Sequence, residues 1–250
     1  MVLPMSRLAI VSAMQQELRA LLPLVHRLRV ERRAGRDCHC GQIDDHDVLL
    51  VLCGIGKVAA ATTAAVLLDG MGVDALLLTG VAGGLASHVH VGDVVVARKL
   101  LQHDMDASPL FPRYEVPLTG RSYFAADTAL CDALAAGCEQ VLQAPHPALL
   151  KYGIGRPRLH QGLVISGDRF VSTAVESEAL RRALPDALAV EMEGAAVAQV
   201  CADFGRPFAV LRTVSDRADD AAHVDFTRFV EDVAAEFSRD IVRAALHAIA

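Results

Sequence analysis

Residues 46–80 read HDVLLVLCGIGKVAAATTAAVLLDGMGVDALLLTG, in which two apolar runs enclose an Ala-rich stretch. The runs His46–Cys53 and Asp74–Thr79 predict strands, and the stretch from Lys57 to about Leu68 predicts the helix that connects them. Most successive positions in both runs are apolar, which is typical of strands covered on both faces of a sheet. The segment therefore predicts a strand–helix–strand unit.

The same alternation of short apolar runs and longer helical patterns continues along the chain. It predicts one α/β domain over residues 1–250 with a mostly parallel sheet. Further helices are indicated by the capping box Thr173–Glu176 and by an apolar stripe that follows Asp225 towards the C-terminus. Two stretches, His103–Ser122 and Ala144–Gln161, match no element. The other predicted elements are a helix over Gln15–Val25 and strands over Leu8–Ser12, Asp93–Ala97, Gly162–Ser166, Ala187–Glu191 and Pro207–Arg212.

The composition narrows the class of protein. The chain has 250 residues, of which 53% are hydrophobic, and a formal net charge of −6. The apolar content excludes intrinsic disorder, and an acidic chain is not expected to bind the phosphate backbone of nucleic acids. The six cysteines contain no C-x-x-C pair, which argues against a zinc site or a disulfide framework. Neither a membrane span nor a signal peptide is predicted, so the cytoplasm is the expected compartment.

The motif GIGK at residues 54–57 follows a predicted strand and opens a helix, as nucleotide-binding loops do. A P-loop is excluded because Val51 and Val58 replace its first Gly and its Ser or Thr. The dinucleotide-binding pattern is met weakly at positions 54, 56 and 59, and a tight strand-to-helix turn explains the same residues. An oxidoreductase would also need an acidic residue about 20 positions further on, where Asp74 is only an approximate match.

A second glycine cluster, GVAGG at residues 80–84, follows the strand that ends at Thr79. It is expected to be a loop, either a simple turn or a set of backbone amides presented to a ligand. His88, His90 and the segment 103–106 carry side chains of metal-binding types, but no third cluster completes the coordination. Surface roles are therefore favoured for these residues, and no metal is expected.

Acidic residues follow three of the predicted strands. Glu17 comes after the first strand, Glu193 after the strand that ends at Glu191, and Asp216 after the strand that carries Arg212. Open α/β sheets bind ligands outside the carboxyl ends of their strands. Each acid alone would be read as a solvated or capping residue, but three of them at equivalent strand ends form the pattern of a site.

Short motifs occur in one order along the chain, namely Ser12-Ala-Met-Gln-Gln-Glu17, Gly54–Ala60, Gly83–Leu85, Gly92–Val95, Ser166–Phe170, Val190–Glu193 and Ser215–Ala218. Together they resemble the 5′-methylthioadenosine/S-adenosylhomocysteine nucleosidases of the nucleoside phosphorylase superfamily. The resemblance implies a single α/β domain whose central sheet is mixed, twisted, partly barrel-like and flanked by helices, and usually a homodimer. It implies hydrolysis of the N-glycosidic bond of 5′-thio-substituted adenosines, with a small-molecule nucleoside as substrate and neither metal nor cofactor.

The resemblance also implies a role for each site residue. Asp216 would deliver a proton to N7 of adenine, Glu17 would activate the attacking water, and Glu193 would hold the ribose hydroxyls. These roles suit the reaction, because negative charge develops on the departing base and positive charge on the ribose. The other implied contacts are Met192 against the ribose, Arg212 beneath it, Phe170 stacked on adenine, the Val171 backbone at the adenine edge, Gly83 near the substrate, and Ile55, Met14 and Phe226 around the 5′ substituent. Leu110 and Phe111 of a neighbouring subunit would close the 5′ end.

Two departures and two alternatives accompany the resemblance. Val81 stands where many relatives carry a hydroxyl group, and the segment 104–115 differs from the commoner loop, which leaves the preferred 5′ substituent open. The alternatives on the same fold are a phosphate-dependent nucleoside phosphorylase and a non-catalytic nucleoside sensor. Water is the expected nucleophile, because Glu17 would repel a phosphate and no glycine loop carries an arginine.

Overall fold

The computed structural model describes residues 7–220, 222, 226 and 229–249, which form a mixed α/β structure. Strands and helices alternate along most of the chain, as the sequence pattern predicts. The strands are β1 (Leu8–Ser12), β2 (His26–Arg33), β3 (Arg36–Ile43), β4 (His46–Leu52), β5 (Ala75–Gly84), β6 (Val94–Gln102), β7 (Phe124–Ala125), β8 (Leu159–Ser166), β9 (Ala187–Glu191) and β10 (Phe208–Asp216). The helices are α1 (Gln15–Leu21), α2 (Lys57–Gly70), α3 (Thr128–Leu142), α4 (Pro147–Leu150), α5 (Ala174–Ala183), α6 (Gly194–Phe204) and α7 (Ala235–Leu246), and a π-helical turn (Val230–Ala234) leads into α7.

The strands of the described residues follow the order β10–β6–β8–β9–β5–β1–β4–β3–β2, and β7 adds to β6. Because β10 also pairs with β5, the strands β5, β9, β8, β6 and β10 close on one another, and β1 to β4 extend from this closed part. The pairs β1–β4, β1–β5, β6–β8 and β8–β9 are parallel, whereas β5–β9 and β6–β10 are antiparallel. The sheet is mixed and partly barrel-like, as the family resemblance implies; the strand pattern alone predicts a mostly parallel sheet, which is wrong.

The hairpin formed by β2 and β3 is not predicted by the apolar pattern. β2 has the sequence HRLRVERR, and nearly all of its side chains are exposed. It pairs antiparallel with β3, which in turn pairs antiparallel with β4. Because β2 is an edge strand without a buried face, its charged side chains show no period that marks a strand.

The glycine cluster 80–84 is part of a strand and not a loop, so the sequence-based prediction is wrong here. β5 continues to Gly84, and its last two residues pair with β9. Close neighbours explain the glycines, since a Cβ on Gly80 would stand 2.2 Å from Nη1 of Arg212. Glycine within a strand often indicates that another group approaches the backbone closely, as Arg212 does here.

Two apolar clusters pack on opposite faces of the sheet. Val11 and Leu78 belong to the cluster that contains residues of α2 and α6, whereas Ile10 and Leu77 belong to the cluster that contains residues of α1, α3 and α7. Successive strand residues point to opposite faces, which explains why these strands are apolar at every position. Each fully buried Leu or Ile contributes about 1.5–3 kcal/mol of hydrophobic stabilisation, so the core holds the carboxyl ends of the strands in fixed positions.

The C-terminal apolar stripe forms one buried helical face. Phe229, Val233, Phe237 and Ile241 are all buried in the cluster shared with α1 and α3. The predicted start of this helix at Asp225 lies outside the described residues. Within the part of the chain that the structure describes, no helix combines the length and apolar character needed to cross a membrane.

Candidate active site

A cavity of about 320 Å³ lies at the carboxyl ends of β1, β5, β9 and β10. These ends meet because β5 pairs with β1 and β10 in parallel, while the carboxyl ends of β5 and β9 overlap in an antiparallel pairing. Every residue that the family resemblance places in the site of its own subunit lines this cavity. These residues are Met14, Glu17, Ile55, Gly83, Phe170, Val171, Met192, Glu193, Arg212, Asp216 and Phe226.

Glu17 is buried in the first turn of α1. Its Oε2 accepts a hydrogen bond from the amide of Met14 at 3.2 Å, while its Oε1 has no hydrogen-bond partner among the described residues. Burial raises the pKa of Glu17 to about 7, although the charge of Arg212 opposes this shift. A carboxyl group that titrates near neutral pH is suited to accept and release a proton during catalysis.

Arg212, on β10, is fully buried among carboxyl groups. Its Nε donates to Oε2 of Glu191 at 3.1 Å, its Nη2 donates to the same oxygen, and Nη2 lies 3.5 Å from Oε2 of Glu193. Burial alone would lower the pKa of Arg212, but Glu191 and Glu193 raise it, so the guanidinium stays charged. Nη1 has no partner among the described residues. A Cβ on Gly80 would stand 2.2 Å from this Nη1 and 3.4 Å from Oε1 of Glu17, so the two unpaired atoms flank the same point.

Glu191 is held on all sides by the protein. Its carboxylate accepts hydrogen bonds from the Ser166 hydroxyl and from Arg212. The amides of Glu193 and Gly194 also donate to it, at 3.1 and 2.8 Å. These partners make Glu191 a fixed counter-charge for Arg212. The sequence motifs assign a role to Glu193 and none to Glu191; the available signal for Glu191 is that it ends a buried strand, whereas Glu193 follows that strand.

Glu193 lies directly before α6 and is buried. Its Oε1 accepts the amide hydrogen of Gly56 at 2.8 Å. Burial raises the pKa of Glu193 to about 7, with Glu191 adding to the shift and Arg212 opposing it. Gly56 has a φ of +95°, a conformation that favours glycine. The GIGK motif therefore supplies a backbone donor to a site carboxylate.

The dinucleotide-binding alternative is excluded by the sheet topology. Asp74 immediately precedes β5, whereas the GIGK turn follows β4, and both strands run parallel to β1. The turn therefore lies at the carboxyl ends of these strands, whereas Asp74 lies at their amino ends. Asp74 instead accepts the amide hydrogen of Arg7 at 3.0 Å and pairs with Arg206 at 3.5 Å.

Asp216 ends β10 and is buried. Its Oδ1 accepts the amide hydrogen of Ala218 at 2.8 Å, and its Oδ2 accepts the Ser215 hydroxyl at 2.8 Å. The register of β10 shifts between Val214 and Asp216, after which Asp216 pairs with Gly83. A Cβ on Gly83 would stand 2.9 Å from Oδ1 of Asp216. The glycine thus leaves space for the carboxyl group at the cavity wall.

Apolar side chains form the rest of the cavity. The rings of Phe170 and Phe226 meet edge to face with centroids 5.5 Å apart. Phe170 is 41% exposed and Ile55 60% exposed, so both have surface available for a ligand. Aromatic and aliphatic walls with a few polar groups are typical of sites for small organic molecules.

Leu110 and Phe111 do not line the cavity of their own chain. Leu110 is 84% exposed, and Phe111 is half-buried. The candidate metal ligands form no such site: the described residues contain no group of three or more His, Cys, Asp or Glu side chains that could hold a metal ion. Among them, His103 packs against Gly167, and Asp104 pairs with Lys57.

The closed mixed sheet and the buried acidic site define an enzyme of the phosphorylase superfamily, whose family model matches residues 7–249. Solved structures narrow this class. The chain is 33% identical to the 5′-methylthioadenosine/S-adenosylhomocysteine nucleosidase of Colwellia psychrerythraea, solved with adenine, over 98% of this chain and 96% of that one, with a TM-score of 0.88. It is 34% identical to the nucleosidase of Streptococcus pneumoniae, solved with a transition-state inhibitor, over 98% and 100% of the two chains, with a TM-score of 0.84.

A third similar structure is the nucleosidase of Neisseria meningitidis in complex with methylthio-immucillin-A. It is 31% identical over 96% of this chain and 98% of that one, with a TM-score of 0.84. The chain therefore belongs to the family of 5′-methylthioadenosine/S-adenosylhomocysteine nucleosidases, which are N-glycosyl hydrolases. The family and the fold predicted from the sequence motifs are confirmed.

Proposed function

We propose that this protein hydrolyses the N-glycosidic bond of 5′-methylthioadenosine, S-adenosylhomocysteine and related 5′-deoxyadenosines, releasing adenine and the 5-thioribose product. The main support is a pair of buried atoms, Oε1 of Glu17 and Nη1 of Arg212, that have no partner among the described residues and flank the same point beside the cavity. An unsatisfied buried polar group costs about 1–3 kcal/mol, so both atoms are expected to bind the substrate or the water nucleophile.

Asp216 is the proposed acid for the leaving group. As the glycosidic bond breaks, electron density moves onto adenine, and a proton delivered to N7 neutralises it. Asp216 reaches the cavity from the end of β10, and the Ala218 amide and Ser215 hydroxyl fix its orientation. Phe170 would stack on the adenine ring, and the backbone of Val171, the next residue, would bind its polar edge.

Glu17 and Glu193 act on the sugar side in this proposal. Glu17 takes a proton from the attacking water, and its raised pKa of about 7 suits that exchange. Glu193 accepts hydrogen bonds from the ribose hydroxyls while the Gly56 amide holds its other oxygen. Both carboxylates also stabilise the positive charge that develops on the ribose. Met192 would pack against the ribose.

The apolar residues Met14, Ile55 and Phe226 are the proposed contacts of the 5′ substituent. All three line the cavity, and Ile55 is largely exposed there. A thioether is apolar and polarisable, so it gains from burial against such side chains. Gly83 would bring the backbone of β5 close to the substrate, next to Asp216.

Water, and not phosphate, is the proposed nucleophile. Arg212 is already paired with Glu191 and lies close to Glu193, so its charge is largely compensated. A phosphate beside Glu17 would meet a like charge, which costs about 4 kcal/mol at ~4 Å and an effective dielectric constant of 20. Val81 lines the cavity and offers a phosphate no hydroxyl. A neutral water requires only the base.

A homodimer is part of the proposal. Leu110 is almost fully exposed and lies next to Phe111 in the segment between β6 and β7. Exposed apolar residues of this kind are typical of protein contact surfaces. Leu110 and Phe111 would close the 5′ end of the neighbouring subunit's site.

The cytoplasm is the proposed compartment. All six cysteines are buried, and none forms a disulfide. Free thiols are typical of proteins in reducing compartments.

The experiment that tests the proposed function measures product formation from 5′-methylthioadenosine with and without millimolar phosphate. Release of adenine and free 5-methylthioribose at the same rate in both conditions is the expected result. A rate that depends on phosphate, with 5-methylthioribose 1-phosphate as the product, would instead identify a phosphorylase. Binding of the nucleoside without any turnover would identify a sensor.

A further inference from the structure

Three residues from separate segments form a closed ring of hydrogen bonds beside the cavity. The Nζ of Lys57 donates to Oδ1 of Asp104 at 2.6 Å. Oδ2 of Asp104 accepts the amide hydrogen of Asp168 at 2.9 Å, and Oδ1 of Asp168 accepts the amide hydrogen of Lys57 at 2.7 Å. Each residue is therefore bonded to both of the others. We call these three residues the 57–104–168 ring.

The ring replaces a missing helix cap. Gly56 is the N-cap residue of α2 and has no side chain that could accept the first helical amides. Asp168, from a distant segment of the chain, supplies an acceptor for the Lys57 amide at a position where the helix dipole favours a negative charge. A Cβ on Gly56 would stand 3.0 Å from Oδ1 of Asp168, so glycine at this position allows the close approach.

The ammonium group of Lys57 is more constrained than that of an ordinary surface lysine. Its side chain is only 16% exposed. Its Nζ also donates to Oε1 of Gln102 at 3.0 Å, and the amide group of Gln102 donates to Gln199 of α6 at 2.7 Å. Removing a charged group that has several fixed hydrogen-bond partners costs more free energy than removing one member of an exposed ion pair.

The ring joins the three segments that carry separate parts of the site. Gly56, which precedes Lys57, donates its amide to Glu193 at 2.8 Å. Asp168 lies two residues before Phe170, and Asp104 begins the segment that carries Leu110 and Phe111. None of the three ring residues lines the cavity, so they act on the site through their neighbours.

We propose that Lys57 is a positioning residue that couples the adenine-binding residues Phe170 and Val171 and the segment beginning at Asp104 to the turn that holds Glu193. This inference rests on the proposed function for the identity of the bound base. The ring fixes the distance between the adenine side and the ribose side of the site. Loss of the 57–104–168 ring should weaken substrate binding more than it lowers kcat, because the acid Asp216 lies on β10 outside the ring.

The test compares K57M with R98M, a matched control elsewhere on the chain. Arg98 is also a cation bonded to one glutamine and one aspartate, Gln161 and Asp132, but it has no link to the cavity. In K57M, the KM for 5′-methylthioadenosine and the Kd for free adenine should each rise about tenfold, the effect expected for a lost charge-assisted hydrogen bond, while kcat changes less. R98M should match the wild type in all three quantities. Equal behaviour of K57M and R98M would overturn the proposal.

Two substitutions of Asp168 provide a second test that does not depend on Lys57. D168N keeps an oxygen that accepts the Lys57 amide and should bind adenine as the wild type does, whereas D168A should reproduce the K57M effect. Measurements well below each variant's Tm separate loosened binding from unfolding. Equal damage in D168N and D168A would overturn the proposal. Wild-type protein that binds adenine but releases none from 5′-methylthioadenosine would overturn the proposed function instead, and the adenine Kd values would still decide the role of the ring.

Discussion

The guanidinium of Arg212 occupies the space that a side chain on Gly80 would need. Its Nη1 lies 2.2 Å from the position of a Cβ on Gly80, which lies within β5. Arg212 can thereby reach the vicinity of Glu17 while Glu191 holds its Nε and Nη2 from another direction. The arginine of one strand and the glycine of its neighbour together determine where the site's positive charge lies.

Gly80→Ala should therefore displace Arg212 and reduce adenine release by about 10² or more, since misplacement of a site group by about 1 Å has effects of that size. Gly70→Ala is the matched control, because a Cβ there meets nothing within 4 Å. Steady-state kinetics and Tm of the two variants check the prediction. Full activity in Gly80→Ala would mean that Arg212 is free to move without consequence.

Asp216→Asn should lower kcat by about 10² or more, because an amide cannot supply a proton to adenine. The variant keeps the size of the side chain and an oxygen that accepts the Ala218 amide, so the Tm should stay near that of the wild type. Adenine release under saturating substrate is the measurement. Near-native turnover would remove Asp216 from the role of leaving-group acid.

The rate should depend on pH through Glu17. A base with a pKa of about 7 is protonated and inactive below that pH, so wild-type kcat/KM should fall as the pH is lowered through about 7. In Glu17→Gln, kcat/KM should drop by at least about 10² above about pH 7, the difference from the wild type should shrink as the pH falls, and this acidic limb should be absent. A wild-type rate that is flat between about pH 5 and 8 contradicts the assignment.

The raised pKa of Glu17 also predicts how the free energy of unfolding of the wild type changes with pH relative to Glu17→Gln. The folded-state pKa of Glu17 is raised from 4.5 to about 7, so the folded protein binds the proton more tightly than the unfolded chain. The stability contributed by protonated Glu17 is complete below about pH 4.5 and is lost as the pH rises through about 7. Relative to Glu17→Gln, the wild type should lose on the order of a few kcal/mol across this window. Denaturant unfolding at several pH values tests the direction, and a constant difference would contradict the raised pKa.

Substrates that lack a 2′ or 3′ hydroxyl should react more slowly with the wild type, by about 1–3 kcal/mol in transition-state free energy for each buried hydrogen bond lost. Glu193→Gln should narrow the gap between the normal and deoxy substrates, because the carboxylate partner is no longer present. Glu17→Gln serves as the control and should keep the gap in kcat/KM. An unchanged gap in Glu193→Gln would place ribose recognition on other residues.

Phe111→Asp should weaken the proposed dimer and raise the KM for thioether substrates, because it places a charge in an apolar contact. Leu28→Asp is the control, since Leu28 is 48% exposed on the edge strand β2. Analytical ultracentrifugation at micromolar concentration and KM measurements report the two effects together. A wild-type chain that is monomeric at that concentration and fully active would contradict the dimer.

Much of the site could be predicted because its residues follow recognisable strands. Glu17, Glu193 and Asp216 each come after an apolar run, and ligands bind outside the carboxyl ends of such strands. β1 and β10 end on the same side as β5 because both run parallel to it, whereas β9 meets the end of β5 in an antiparallel pairing. The structure places all three on one cavity. The position of these residues on one cavity could thus be predicted from local patterns and motif order, whereas their chemical roles stay predictions.

Other features depend on contacts between residues far apart in the chain. The exposed strand β2 has no apolar period. The glycines at 80–84 resemble a turn in the sequence, whereas in the structure a Cβ on Gly80 would meet Arg212 and a Cβ on Gly83 would meet Asp216. The difference between Glu191 and Glu193 also arises from their partners and not from their neighbours in sequence.

By itself, the sequence determined the α/β class, the family and most of the residues that line the cavity, because apolar periodicity and motif order are properties of the chain itself. The tertiary structure alone decided that β5 and β10 pair and close part of the sheet, and that Lys57, Asp104 and Asp168 meet in one ring. It also decided that Glu17 and Glu193 have raised pKa values. The physical reason is that desolvation and hydrogen bonding depend on distances in space, which packing sets and local sequence does not encode.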